Sequence, residues 1–341
     1  MKEPKEQHYV PKFYLKFFAT DNNKKEIAFY NLVNKKFFIH APIKSQAKVK
    51  TLYGDDGVME NWLSGIEATT ARILQGIIEK EELPDIHSEA SLSMLHYILI
   101  QHSRTLQRAQ ELNDQMNQMA SRINAKIPSP QVFRNTPIAL SEVVEIANDT
   151  LPLLAYLSFV LIKNETTVPF ITSDVPVVLY NHLMEEKKSP TFGDAWAFKG
   201  LQVFLPLSPK LTIHWYDPSV YKIGGKKLRE LIRLTRYEDL FSLNSLQYMN
   251  CHEQLFFNRD FKEAELNKLI NKYHRLRSSI KLPTFETASF TFVAGHDKRM
   301  GFRPSFIHLS KNGKDFKLGG RFVHFRHPSF DAIRQATRGR P

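Results

Sequence analysis

A single cysteine, Cys251, in 341 residues excludes an internal disulfide and any cysteine-rich zinc module, and it suits a reducing compartment. Long apolar runs are also scarce. The opening Met-Lys-Glu-Pro-Lys-Glu has no apolar stretch of signal-peptide length, and the longest run, Leu151 to Ile162, contains Pro152 and is too short to span a bilayer. The expectation is a cytoplasmic protein with no transmembrane segment. Glycine-rich phosphate loops are missing too, because Gly224-Gly225 is followed by no Lys-Ser/Thr pair. Nor does the chain contain a clustered Asp…Glu-X-Lys strand of the nuclease type.

What is present is a 42% apolar content, enough for a real core in one large domain or two smaller ones. The net charge of +12 is unevenly spread. From Arg259 onward there are 18 Lys and Arg against 7 Asp and Glu, a net of +11. Such asymmetry points to a polyanionic partner, nucleic acid first and an anionic membrane surface second, with a solvated basic surface as the plainer alternative.

Hydrophobic period places most elements. Pro11 predicts a short helix over 11–18 with Tyr14, Leu15 and Phe18 on one face. The runs 26–30 and 36–40 read as a hairpin, and 58–79 as an amphipathic helix carrying Glu60 and Glu67 two turns apart on one face. A long helix is expected over 88–124, a proline-rich linker over 127–137, and a nearly all-apolar helix over 140–163. Residues 168–179 read as a buried strand broken at Ser173-Asp174, and 201–209 with 211–216 as a strand pair. Helices follow at 228–234, 238–251 and 262–277. Beyond Pro283 short β-rich runs at 288–293, 305–309 and 320–325, with a turn at 311–314, alternate basic and aromatic residues. That mixture suits stacking on bases and contact with phosphates, with Lys298, Arg299, Arg303, Arg321 and Arg326 as the phosphate-binding candidates; a half-buried sheet with a lysine-protected edge gives the same pattern.

The expected fold is α+β: a mostly helical body with one antiparallel sheet from the strands near 27–40, 168–179 and 201–216, then a small β-rich basic C-terminal region. The boundary is placed at 258, giving a domain over 1–258 and an extension over 259–341.

Several polar residues stand at the edges of apolar segments. Gln7 and His8 precede the first helix. Gln101, Arg104, Thr105 and Arg108 form one helical stripe where the long helix turns from apolar to polar. Arg104 there would either hold a carboxylate or phosphate in a bidentate fork or bridge to the Glu60/Glu67 helix, so the two helices should meet in either case. Ser173 and Asp174 place a hydroxyl and a carboxylate at a sheet edge, or make a turn that satisfies its own backbone.

Those segments, in this order, resemble a family of mostly bacterial proteins known only as domain of unknown function 4238. The matching pieces are Gln7-His8-Tyr9-Val10-Pro11 with Tyr14-Leu15, Tyr53 followed by Glu60 and Glu67, Gln101 with Arg104-Thr105, Phe170-Ile171-Thr172-Ser173-Asp174-Val175-Pro176-Val177, and Pro206-Leu207-Ser208-Pro209. They cover roughly 7–258. Val175 departs from the polar residue that the family pattern has there. The resemblance implies that these scattered polar motifs form one set, and it supplies no activity.

The set holds an imidazole, carboxylates, a guanidinium, hydroxyls and amides, an inventory typical of hydrolytic sites. His8, Glu60, Glu67, Arg104 and Asp174 are the catalytic candidates, with Gln7, Gln101, Thr105 and Ser173 binding substrate. His8, Glu60, Glu67 and Asp174 could together hold a divalent metal such as Mg or Mn that activates a water, or His8 could act as a general base. The first expectation is a phosphodiester hydrolase, a DNA or RNA nuclease, with the basic tail binding nucleic acid. The second is a nucleic-acid- or protein-binding module whose polar set is a sealed structural network. The third is a hydrolase of nucleotides or other small polar substrates. A reactive site should open onto a pocket, whereas a network should be closed to solvent. A role in phage defence fits a bacterial family of this kind, though no residue shows it.

Overall fold

The computed structural model describes residues 6–50, 52, 58–108, 147, 149–189, 196–224, 231–278, 284–286, 291–293 and 300–317. Strand β1 (Glu6–His8) leads into helix α1 (Lys12–Leu15), capped by Pro11 and continued by a 3-10 turn, Lys16–Phe18. The hairpin β2 (Glu26–Asn31) and β3 (Lys36–Pro42) follows, then β4 (Lys48–Lys50), which pairs antiparallel with β1. Helices α2 (Val58–Lys80) and α3 (Glu89–Ser103) complete the N-terminal part. Next come β5 (Ser158–Asn164), β6 (Thr172–Ser173), β7 (Val178–Tyr180), helix α4 (His182–Glu186), β8 (Gln202–Ser208), β9 (Leu211–Tyr216), β10 (Tyr221–Ile223) and β11 (Ile232–Leu234). Helix α5 (Tyr237–Asn250), β12 (Gln254–Phe257) and helix α6 (Glu263–Ser278) precede the hairpin β13 (Thr284–Glu286) and β14 (Thr291–Val293), with β15 (Ile307–Leu309) and helix α7 (Lys311–Asp315) last. The fold is α+β.

Two larger sheets stand where one was expected. A five-stranded sheet has the order β11-β5-β9-β8-β7, and a four-stranded sheet has the order β3-β2-β12-β6. The break at Ser173-Asp174 separates them: β6 joins the smaller sheet and β7 the larger. Side chains alternate between two cores. Phe159, Leu161, Val203, Leu205, Ile213 and Trp215 face the core built with α1, α2 and α3. Val160, Ile162, Phe204 and Tyr216 face the core built with α5 and α6. Both faces of the larger sheet are buried, which is why its strands read as continuous apolar runs.

That ambiguity explains the main correction. Residues 158–164 form a central strand, not the end of a helix over 140–163, although 149–154 are helical. An all-apolar run gives the same signal as a buried helix or a buried strand, and here pairing with β9 on one side and β11 on the other decides it. Residues 232–234, expected to be helical, form β11 and lie parallel to β5. The long helix stops at Ser103 and resumes at 106–108. Thr105 Oγ1 accepts the Arg108 N–H at 3.3 Å, so this threonine caps a new helix in the middle of an unbroken periodic pattern. Residues 311–314 are helical rather than a hairpin turn, because Ser310 Oγ accepts the Gly313 N–H at 3.2 Å. Strand β15 pairs with β10. The expected linker at 127–137, the second half of the long helix beyond 108 and the strand at 320–325 lie outside the described residues. Among the described residues no helix is long and apolar enough to cross a membrane.

The N-terminal helix docks through Tyr14, Leu15 and Phe18, all fully buried. Tyr14 Oη donates to the Pro206 carbonyl at 2.6 Å and lies 2.8 Å from Thr172 Oγ1, tying the first helix to strands of both sheets. His214 is buried on the opposite face, stacked on Phe204 with ring centroids 4.2 Å apart, and its Nε2 accepts from the Gln202 amide at 3.1 Å. Burial pushes its pKa from 6.5 down to about 3.

Two outcomes follow from these contacts. Tyr14→Phe leaves the Pro206 carbonyl without its donor and should lower the unfolding free energy by about 1–2 kcal/mol, read from a urea midpoint at unchanged slope. His214 is neutral in the folded chain, whereas the unfolded chain protonates it below about 6.5, so its contribution to stability is lost as pH falls from about 6.5 towards about 3. The melting temperature of His214→Gln should therefore decline less over that window than that of the unchanged chain; parallel declines would refute the assignment.

Candidate functional site

The N-terminal motif builds outward from β1. Gln7 and His8 stand opposite Val49 and Lys48, and the Tyr9 N–H donates to the Ala47 carbonyl at 3.0 Å. Gln7 and Tyr9 are buried, and His8 is half-buried. Partial burial, then the charge of Lys12, holds the His8 pKa below its usual value, against an opposing hydrogen bond to the Gln46 backbone. The Tyr9 carbonyl accepts from Gln101 Nε2 at 2.9 Å. Gln101 Oε1 in turn accepts from Arg104 Nε at 2.8 Å and Nη2 at 2.6 Å, while Arg104 Nη1 donates to Glu67 Oε1 at 2.7 Å. Arg104 is 1% exposed and Glu67 28%.

The expected meeting of the two helices therefore occurs through Glu67 and Arg104. Arg104 sits at the C-terminal end of α3, where the helix has turned and its cation is favoured by the helix dipole. Its fork is engaged by Gln101 and Glu67 inside the protein. Thr105, also buried, is occupied as the cap of the following turn. Glu60 lies half-buried in the first turn of α2, a position that suits a carboxylate.

Ser173 and Asp174 belong to a second, separate network. Asp174 is buried, and its Oδ1 accepts the His252 N–H at 2.8 Å while Oδ2 accepts the N–H groups of Glu253 at 2.7 Å and Gln254 at 3.0 Å. Its own N–H donates to the Gln254 carbonyl at 2.9 Å. Burial raises the Asp174 pKa, and the three N–H donors oppose that rise. Ser173 Oγ lies 2.9 Å from Gln247 Oε1 and accepts the Val175 N–H at 3.2 Å. Gln247 Nε2 reaches the Pro176 carbonyl at 3.0 Å, and Asn244 bonds the Ile171 N–H at 3.1 Å and the Pro169 carbonyl at 3.0 Å. Helix α5 thus clamps the irregular backbone over 169–176, whose polar groups would otherwise be buried unpaired.

These are the segments by which the chain compares with other proteins. The model of a family described as Protein of unknown function (DUF4238) matches residues 6–261. The chain belongs to that family. No curated protein and no solved structure matches it.

The DUF4238 motifs are thus brought together in part. Tyr9, Gln101, Arg104 and Glu67 form one bonded chain, Ser173 and Asp174 another, and Tyr14 with Thr172 and Pro206 links the two regions. Among the described residues no three His, Cys, Asp or Glu side chains gather where a metal ion could sit, so His8, Glu60, Glu67 and Asp174 do not form the expected metal set. Arg303 is 62% exposed, with Nη1 3.7 Å from Glu186 Oε2. Lys298, Arg299, Arg321 and Arg326 lie outside the described residues. Asn244 and Gln247 were not among the expected site residues. Their spacing of three on a helix otherwise lined with Leu240, Leu243 and Leu246 was the available signal, since polar groups on a buried face need partners.

Loss of a clamp has a measurable cost. Asp174→Ala leaves three backbone donors without their acceptor and should reduce stability by about 3 kcal/mol, whereas Glu67→Gln, at a partly exposed carboxylate, should cost about 1 kcal/mol. Urea titration of both variants checks the order, and an Asp174→Ala chain as stable as the parent would remove the structural role.

Proposed function

We propose that this DUF4238 chain is a non-enzymatic nucleic-acid-binding module in which the polar motifs are architecture and a basic surface engages the phosphate backbone. The observation that carries this reading is closure. Gln7, Gln101, Arg104, Thr105, Ser173 and Asp174 are all buried, and Arg104, Ser173 and Asp174 bond to groups of the protein itself. A hydrolytic centre needs a base, a water and an electrostatic stabiliser converging on an open position. Here the guanidinium is spent on Gln101 and Glu67, and the aspartate on three backbone N–H groups. The charge distribution supports a polyanionic partner, since nearly all the excess of +12 falls beyond residue 258.

The opposing reading of a nuclease keeps one foothold, the half-buried His8 with its lowered pKa, which could act as a base near neutral pH. Incubation of labelled single- and double-stranded DNA and RNA with Mg²⁺, Mn²⁺ or a chelator separates the two. The expected result is intact probe in every condition, with binding that weakens as salt rises and that persists in His8→Ala. Metal-dependent cleavage that disappears in a correctly folded His8→Ala chain would replace the binding module with an enzyme.

A further inference from the structure

Between the outer faces of α5 and α6 lies a shallow, open groove of about 550 Å³, lined by Tyr237, Phe241, Lys268, Asn271 and Lys272. Tyr237 and Phe241 stand one turn apart on α5 with ring centroids 5.9 Å apart, and Phe241 stacks on Tyr273 at 6.2 Å and 25°. Lys268 and Lys272 stand one turn apart on α6. Lys268 Nζ lies 5.0 Å from the Tyr237 ring centroid, and Lys272 Nζ lies 5.1 Å from those of both Phe241 and Tyr273. Glu265 stands at the edge of this groove, accepting from Lys268 Nζ at 2.7 Å and from Tyr237 Oη at 2.5 Å. From Lys268 to Arg277, α6 carries Lys268, Lys272, Arg275 and Arg277 with no acid, and Arg277 turns inward to the carbonyls of Tyr248, Met249 and His252.

We propose that this groove seats single-stranded nucleic acid, with bases stacking on Tyr237 and Phe241 while Lys268 and Lys272 move from the rings to the flanking phosphates. The inference rests on the nucleic-acid-binding reading above and names its seat. An ammonium over a half-buried ring is a weaker contact than a base stacked on the ring's open side; Lys272 gains a phosphate partner, and Lys268 trades the Glu265 carboxylate for one. A duplex hides its base faces and would use only the lysines. Asn271, between the two lysines in the lining, supplies amide donors and an acceptor for a base edge. Both rings are half-buried in the helix surface, which leaves little apolar area to insert into a membrane. The aromatic wall lies within the family match, and the lysine wall begins just past residue 261, where that match ends.

The test uses the full chain and a fluorescein-labelled oligothymidine, followed by anisotropy over a salt series, with a duplex of equal length and phosphatidylserine vesicles alongside. Lys268→Ala/Lys272→Ala alters exposed side chains, and Phe241→Leu keeps apolar bulk while removing the stack; melting curves verify both folds. Phe241→Leu should bind roughly tenfold more weakly. The lysine pair should flatten the slope of log K against log salt by about 1.4, at about 0.7 per phosphate lost. A 2-aminopurine base in the strand should be quenched by the parent chain and less so by Phe241→Leu, in which Tyr237 is the remaining ring. Unchanged affinity and slope in both variants overturn the groove while leaving the binding reading intact. A parent chain that binds no oligonucleotide ends both, and lysine-dependent capture by the vesicles in that case would move the surface to a membrane.

Discussion

The carboxylate of Asp174 accepts three consecutive backbone N–H groups at residues 252–254, and the arrangement of both sheets depends on that contact. At Asp174 the chain leaves the four-stranded sheet and crosses to the five-stranded one, through backbone that belongs to neither. Buried backbone of this kind needs partners that regular pairing does not provide. Asp174 satisfies the entry to β12, Gln247 satisfies the crossing segment at Pro176, Asn244 satisfies the backbone leading into β6, and Ser173 bonds to Gln247. The same residues place β6 next to β12 and β7 next to β8, so one short polar stretch sets the relation of the two sheets.

The N-terminal network follows the same logic with charge added. A buried guanidinium without partners is costly, and Arg104 is placed at a helix end where Gln101 and Glu67 converge on it. Gln101 extends the chain to the Tyr9 carbonyl, fixing the strand that precedes α1. Tyr14 then carries that helix onto Thr172 and Pro206. Motifs far apart in sequence thus meet because each supplies a partner for another's buried polar group. Their chemistry resembles that of a hydrolytic site, since both need carboxylates, amides and a guanidinium held at fixed geometry. The binding reading is proposed on the burial of Gln101, Arg104, Ser173 and Asp174 and on their bonds to the protein's own groups.

The division between interior and surface sets where a ligand can act. Gln101, Arg104, Ser173 and Asp174 lie inside, whereas the groove between α5 and α6 is open, aromatic and cationic. Helix α5 serves both. Its inner face, through Asn244 and Gln247, clamps the backbone on both sides of β6, while Tyr237 and Phe241 near its start face outward. A ligand on that outer face would sit on the element that holds the two sheets together.

Periodicity alone made the hairpin over 26–42, helices α2, α5 and α6 and the pair β8 and β9 legible, because each alternates with its own period or is bounded by turn residues. The facing of Glu67 and Arg104 was legible too, since helical spacing puts each on the stripe that turns towards a partner helix. The strand at 158–164, the parallel strand at 232–234 and the interruption of the long helix at Thr105 were not. A run apolar on every side has no period to read, and a threonine caps a helix only when the backbone around it turns. The role of Asp174 lay furthest from reach, because its three donors come from residues 78 to 80 positions later. Local sequence determined which segments could form elements and which polar residues had to find partners. Only the tertiary structure decided which groups of the protein Arg104, Ser173 and Asp174 meet, because burial is a property of the assembled cores and not of any one segment.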